Sequence, residues 1–362
     1  MKPSFLNINR TNCDDVIKAF GQPSFRSKQL TDWIYLHKQN DLTKMSNLPK
    51  AMVAKLDETY DWSLPKTIDK LDSQDGTTKL LLQAADGRVI ETVIMRYENR
   101  TSLCVSSQVG CKLACTFCQT GKLGFFRHLS REEILSQYFA AQQLLSEEDR
   151  RISHVVFMGM GEPFDNYDAA IGAVNTLIDP DGFGLSARHV TLSTSGIVPK
   201  IERLAVDSRA ALAVSLHAAT DELRTKLMPI NKKYPLAMLK EALVNYQKNT
   251  GRKVTIEYLL LKNENCNLTQ AKALVKFLHG LRCKVNLIPF NDHPGSGFER
   301  PGPDEIRQFQ KHLSDRSYPA PVRYSKGLDV SAACGQLAAK RKENLTDRPL
   351  RSEYANLANT IH

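Results

Sequence analysis

From about residue 101 onward, short continuous apolar runs alternate with segments whose apolar positions recur every three or four residues. The first kind reads as strands buried on both faces, the second as helices that cover them. The pattern predicts six strands, at 101–107, 154–158, 189–192, 210–215, 254–261 and 284–289. Between and after them it predicts helices from 130, where Ser130-Arg-Glu-Glu133 forms a capping box, and at 167–178, 199–205, 221–227, 268–281 and 303–313. Six parallel strand–helix units curve into an incomplete barrel. Before residue 101 the character differs. Segments 13–20, 26–37 and 48–60 carry apolar positions at helical spacing, while Asp75-Gly76 and Asp86-Gly87 punctuate strand-like runs at 77–83 and 88–96. The expected fold is therefore α/β. A helical N-terminal domain (1–65) and a β-meander extension (66–100) precede an incomplete (βα)6 barrel core (101–335), and a basic polar tail (336–362) follows.

Composition narrows the class. No apolar run approaches the roughly 18 residues that a membrane helix needs, and the start of the chain has no apolar signal core. A cytoplasmic protein without a membrane partner is expected. Eight cysteines in 362 residues are too few for a disulfide scaffold and suit a reducing compartment. The net charge is +10 and the pI about 9.1. Basic residues gather at Lys122, Arg127, His128 and Arg131, and again at Lys340, Arg341, Lys342, Arg348 and Arg351. Either a polyanionic partner or an ordinary basic surface accounts for them.

The strongest chemical signal is Cys111-Lys-Leu-Ala-Cys115-Thr-Phe-Cys118. Three thiolates on one short loop can hold three corners of a cubane 4Fe–4S cluster and leave the fourth iron open to a ligand. The alternatives are a structural zinc site or three unrelated thiols. Zinc requires four closed ligands, and Cys104 is the one candidate if the loop folds back. The spacing resembles that of the radical S-adenosylmethionine (SAM) superfamily, in which the open iron chelates SAM and one electron cleaves it to a 5′-deoxyadenosyl radical.

Other unusual residues fall at the carboxyl ends of the predicted strands, where parallel barrels place their active sites. Gly159-Met160-Gly161-Glu162-Pro163 follows the second strand, Ser193-Thr194-Ser195-Gly196 ends the third, Ser215-Leu216-His217 ends the fourth, and Asn291 follows the sixth. Singly these are ordinary turns and polar residues; together they predict one pocket. For SAM, the expected ligands are Gly161 and Glu162 at the amino group, and Ser193 and Ser215 at the carboxylate or ribose. Leu216, His217 and Asn291 complete the set near ribose and adenine. Cys104 and Cys334 lie outside the cluster motif. Each on its own reads as a packing residue, although the small neighbours of Cys334 leave its thiol accessible.

Taken together, these motifs resemble the RlmN/Cfr family of radical SAM RNA methyltransferases. The likeness runs through Cys104-Val-Ser-Ser-Gln-Val-Gly-Cys111, the cluster loop, Phe157-Met-Gly-Met-Gly-Glu-Pro163 and Val190-Thr-Leu-Ser-Thr-Ser-Gly196. It continues through Ser215-Leu-His217, Leu227-Met-Pro-Ile-Asn231, Asn286-Leu-Ile-Pro289 and Ala332-Ala-Cys-Gly-Gln-Leu337. The resemblance implies two SAM per turnover and a methyl carried on Cys334. It implies a covalent Cys334–RNA adduct, resolution by Cys104 through a transient disulfide, and Glu91 as proton acceptor. On residues alone, Glu91 shares a strand face with Val89, Val93 and Met95, so a raised pKa is expected there; a salt bridge is the other reading. The substrate implied is carbon 2 of an adenosine in 23S rRNA, and in some members of tRNA beside the anticodon, with a one-electron reductant such as flavodoxin and a monomeric enzyme. Gly161-Glu162-Pro163 and Thr194-Ser195-Gly196 read as RlmN-like. Carbon-8 methylation of the Cfr type is the alternative, and a radical SAM enzyme of small molecules the remoter one.

Overall fold

In the computed structural model, which describes residues 2–293 and 295–337, one nine-stranded sheet organises the chain. The tail cations from Lys340 to Arg351 lie outside the described residues. Three helices come first: α1 (Cys13–Ala19), α2 (Phe25–Thr31) and α3 (Lys50–Thr59). The predicted helix at 26–37 changes character midway, because Asp32–Leu36 winds into a π-helical turn. These helices share the core of the barrel. Phe5 stacks on Trp62 at 4.9 Å and meets Phe139 edge-on at 5.3 Å, and Arg131 donates to Leu6 O at 2.6 Å.

The strands β1 (Lys66–Asp72), β2 (Thr77–Gln83), β3 (Val89–Arg96) and β4 (Thr101–Cys104) form an antiparallel meander. Its last strand is also the first of the barrel, so the extension continues the main sheet. Next come β5 (Gln108–Gly110), α4 (Gln119–Leu123), β6 (Phe125–His128) and α5 (Arg131–Ser146). The capping box closes as expected: Glu133 N donates to Ser130 Oγ at 3.2 Å and Ser130 N to Glu133 Oε2 at 2.9 Å.

The rest alternates: β7 (His154–Phe157), α6 (Tyr167–Ile178), β8 (Val190–Thr194), α7 (Val198–Asp207), β9 (Ala211–Ser215), α8 (Asp221–Leu227), α9 (Leu236–Thr250), β10 (Val254–Leu260), α10 (Leu268–Leu278), β11 (Cys283–Pro289) and α11 (Pro303–Ser314). Strands β4, β7, β8, β9, β10 and β11 pair in parallel in that order. These are the six predicted strands, and among the described residues nothing pairs β11 with β1.

Two boundaries are corrected. The first strand stops at Cys104 rather than 107, because Ser107 N and Gln108 N turn to bond Met160 O. The third begins at Val190, since His189 closes a 3-10 turn. The structure also adds α9, which follows Pro235 and ends at Gly251, a residue at φ +70° whose N–H returns to Gln247 O.

Candidate active site

The cluster loop leaves β5 under tight control. Gly110 has φ +78°, and Cys111 N donates to Gly124 O at 2.8 Å. Thr116 N reaches Leu227 O at 3.0 Å, and Gln119 N reaches Gly335 O at 2.8 Å. Below the loop, Gln137 closes a two-way amide pair with Ser106, at 2.8 Å in each direction.

Cys111, Cys115 and Cys118 line one cavity of about 170 Å³. Burial, and then for Cys111 and Cys115 the charge of a neighbouring thiol, pushes these thiols up. A bound cluster would reverse that, because its iron favours thiolates. Among the described residues no three Cys, His, Asp or Glu side chains converge closely enough to hold a single metal ion. A cubane spreads its corners, so its thiolates stand farther apart than the ligands of one ion. Cys104, the fourth zinc ligand considered above, does not line this cavity but a second one. Three thiols on one cavity wall suit three corners of a cubane.

Gly161, Glu162, Ser193, Ser215 and His217 line the same cavity. The glycines are needed for a reason beyond access to a ligand. A Cβ on Gly159 would stand 2.7 Å from Val105 O, and one on Gly161, at φ +97°, 2.5 Å from Gln108 Cβ. The β7 end crosses the backbone of 105–108 too closely for a side chain. Glu162 is buried and accepts from Phe164 N at 2.9 Å and Ser195 N at 2.8 Å. Burial pushes its carboxyl up, against those two N–H donors.

His217 sits in the left-handed region at φ +58°, with Asn265 Nδ2 donating to its carbonyl at 2.7 Å. Its Nδ1 accepts from Leu259 N at 3.1 Å, which leaves the proton on Nε2. Burial, with the charge of Arg224 behind it, lowers its pKa to about 3, so the ring is neutral. The Leu216 side chain turns into the core. Phe290 lines the cavity, whereas Asn291, the next residue, does not. Its Nδ2 donates to Ser325 Oγ at 2.8 Å, while its buried Oδ1 has no partner among the described residues.

A second cavity, of about 430 Å³, lies on the other side of Cys334. Cys104, Val93 and Met95 line it, and Cys334, an exposed thiol, lines both cavities. Cys104 is buried against Val93, Met160, Ala332 and Leu337. The segment bearing Cys334 is held at both ends. Gly327 N donates to Asp75 Oδ2 at 2.9 Å, Ser73 Oγ to Asp329 Oδ1 at 2.6 Å, and Thr120 Oγ1 to Leu337 O at 2.6 Å.

Glu91 lies on the strand face that carries Val93 and Met95, but it does not line either cavity. Its surroundings are not purely apolar: Lys79 Nζ lies 3.3 Å from Oε1 and also donates to Ser331 O at 3.2 Å. The expected apolar face is corrected to a buried ion pair.

Sequence reasoning missed two residues. Arg224 of α8 is fully buried and donates to Ser195 O (2.5 Å), Ser215 O (3.3 Å), Leu216 O (3.2 Å) and Asn231 Oδ1 (2.9 Å). It ties the ends of β8 and β9 together under the cavity. Nothing in the run Asp-Glu-Leu-Arg-Thr-Lys-Leu marks one cation as buried. Replacing Arg224 with methionine should cost at least about 3 kcal/mol, because several buried acceptors lose a charged donor. A thermal melt checks this, and an unchanged midpoint would refute it. Glu257 of β10 is the second. It interrupts an apolar strand and lines both cavities.

Comparisons with known proteins agree with this geometry. Residues 105–267 match the radical SAM superfamily model, and residues 4–61 match the model of the ribosomal RNA large subunit methyltransferase N-terminal domain. The chain is 43% identical over 346 residues to proteins named probable dual-specificity RNA methyltransferase RlmN from Bacillus cereus and Bacillus thuringiensis, covering 95% of this chain and 96% of each relative. A crystal structure of a radical SAM methyltransferase from Sphaerobacter thermophilus superimposes with TM-score 0.90 at 41% identity, over 93% of this chain and all of that one.

Proposed function

This chain belongs to the RlmN family of radical SAM RNA methyltransferases, and from that membership we propose that it methylates carbon 2 of an adenosine in 23S rRNA, and of tRNA beside the anticodon, through Cys334. The observation that carries the reading is the position of Cys334 on the wall between two cavities. One holds the cluster cysteines and the expected SAM ligands. The other holds Cys104 and opens among Arg100, Arg188, Lys284 and Arg323, with Tyr97 and Tyr324 beside them. Cations for phosphates and aromatic faces for an unstacked base suit single-stranded RNA.

The family's cofactors are SAM and a 4Fe–4S cluster, which together supply a methyl group and a 5′-deoxyadenosyl radical. Cys111, Cys115 and Cys118 hold the cluster. Glu162, fixed by two backbone N–H groups, would meet the SAM amino group, and neutral His217 would offer its Nε2 proton. With two SAM per turnover, Cys334 would take its methyl group from one and have that group activated through the other. Cys334 carries the carbon from the first cavity to the base in the second. Glu91, which lines neither cavity, would accept the ring proton once its pair with Lys79 opens toward the second one. Cys104 Sγ then attacks Cys334 Sγ, releases the RNA and leaves a disulfide that an external thiol reduces.

Anaerobic enzyme incubated with rRNA fragments and tRNA should yield 2-methyladenosine by nucleoside mass spectrometry, and the Cys334 peptide should carry an added methyl. Product at carbon 8 would reassign the position, and product without Cys334 would overturn the carrier.

A further inference from the structure

We propose that Glu257 is the general base that takes the proton from the Cys334 thiol as that sulfur is methylated. The inference rests on the assignment of Cys334 as methyl carrier. Among the described residues five line both cavities: Met158, Glu257, Ile288, Cys334 and Leu337. Of these only Cys334 has a nucleophile, and only Glu257 can take its proton. Among the described residues, Glu257 is also the one acid on the wall of the second cavity. Burial, and then the negative charge of Glu257, push the Cys334 thiol up, so it keeps its proton until an acceptor takes it.

A free thiol is mostly protonated at neutral pH, and the thiolate is the nucleophile. Methylation therefore needs a proton acceptor. The Sγ–H bond breaks and its proton passes to the Glu257 carboxylate. The sulfur pair forms the new S–C bond, and the methyl–sulfonium bond of SAM breaks to leave a neutral thioether. The positive charge of the sulfonium and the negative charge of the carboxylate vanish together, so the step balances without a further reactant.

The surroundings of Glu257 suit that task. Asn286 Nδ2 donates to Oε1 at 2.9 Å from the neighbouring strand and fixes the carboxylate plane. Burial raises its pKa to about 7, against the pull of Asn286, Lys284 and Arg323. A base poised there accepts a proton and returns it to solvent at neutral pH. The charged or titratable groups facing it are His217 beyond β9, which is neutral, Lys284 on β11, Arg323, and Cys334 itself.

The test isolates the first methyl transfer. Full-length, cluster-loaded enzyme isolated without SAM is mixed with SAM, without reductant or RNA. Methyl gain on the Cys334 peptide is then timed by mass spectrometry across about pH 6 to 9, with SAM binding measured in parallel. The wild-type rate should climb through about pH 7 and level off. Glu257→Gln should bind SAM yet methylate at least about 100-fold more slowly at pH 7, with a rate that keeps climbing with pH. Glu257→Asp should recover part of the rate. A Gln variant within about twofold of wild type and with its pH profile would overturn the inference. So would a wild-type rate flat across the range, which decides the matter if the variant does not fold. A wild-type Cys334 that gains no methyl would instead overturn the carrier assignment itself.

Discussion

Cys104→Ala enzyme is expected to end its first turnover with RNA covalently attached through Cys334. The carrier sulfur is untouched, so addition to the base proceeds, but no thiol remains to displace it. Denaturing gels should show a shifted protein band that nuclease collapses, and digestion should map the remnant to the 332–337 peptide. Normal turnover without an adduct would make Cys104 a packing residue. The wild-type step should depend on pH. Burial, with Cys334 a smaller contributor, holds the Cys104 thiol well above its ordinary range. The thiolate fraction therefore grows about tenfold per pH unit below that value. The adduct in wild-type enzyme should shorten in lifetime as pH rises, and a lifetime independent of pH would argue against direct attack by Cys104.

The second large effect concerns the cluster loop. Cys111→Ala, Cys115→Ala or Cys118→Ala should each remove most of the bound iron and abolish SAM cleavage, because a cubane with two protein thiolates loses the ligand set that this loop supplies. Iron analysis and the visible absorption of reconstituted protein measure the first, and release of 5′-deoxyadenosine under reduction the second. The fold should persist, since the loop is fastened by backbone bonds at Cys111 N, Thr116 N and Gln119 N, which these substitutions leave in place. Full iron content in any of the three would reject the assignment.

Much of this was legible from the chain. Strands buried on both faces declare themselves as apolar runs, and all six parallel strands fall where those runs lie. The cysteine spacing, the glycine turn and the serines belong to single loops, so their order along the chain carries them to one rim. What escaped depends on contacts between distant segments. Arg224 looks like any surface cation until its four acceptors, from β8, β9 and the turn after α8, are seen around it. The Lys79–Glu91 pair joins strands through a register that no local pattern gives. Even the role of Gly159 and Gly161 shifts, since the crossing backbone of 105–108 enforces it. Glu257 was the exception. A carboxylate in Val-Thr-Ile-Glu-Tyr-Leu-Leu was visible as an anomaly, and the same logic that singled out Glu91 applies to it.

The anchoring of the Cys334 segment has a consequence for the energetics of the cycle. With Gly327 fixed to the β1–β2 turn and Gly335 to the cluster loop, the sulfur moves as a short tether between two fixed posts. Its encounter with Cys104 is then governed by effective concentration, which a short tether keeps high. The entropy of joining two cysteines so far apart in sequence has been spent in folding the barrel. In the proposed cycle this would favour closing the disulfide, and reopening it would fall to the external reductant. The meander that fastens the tether would then, from outside the cluster loop, bias the oxidation–reduction balance on which the proposed next round depends.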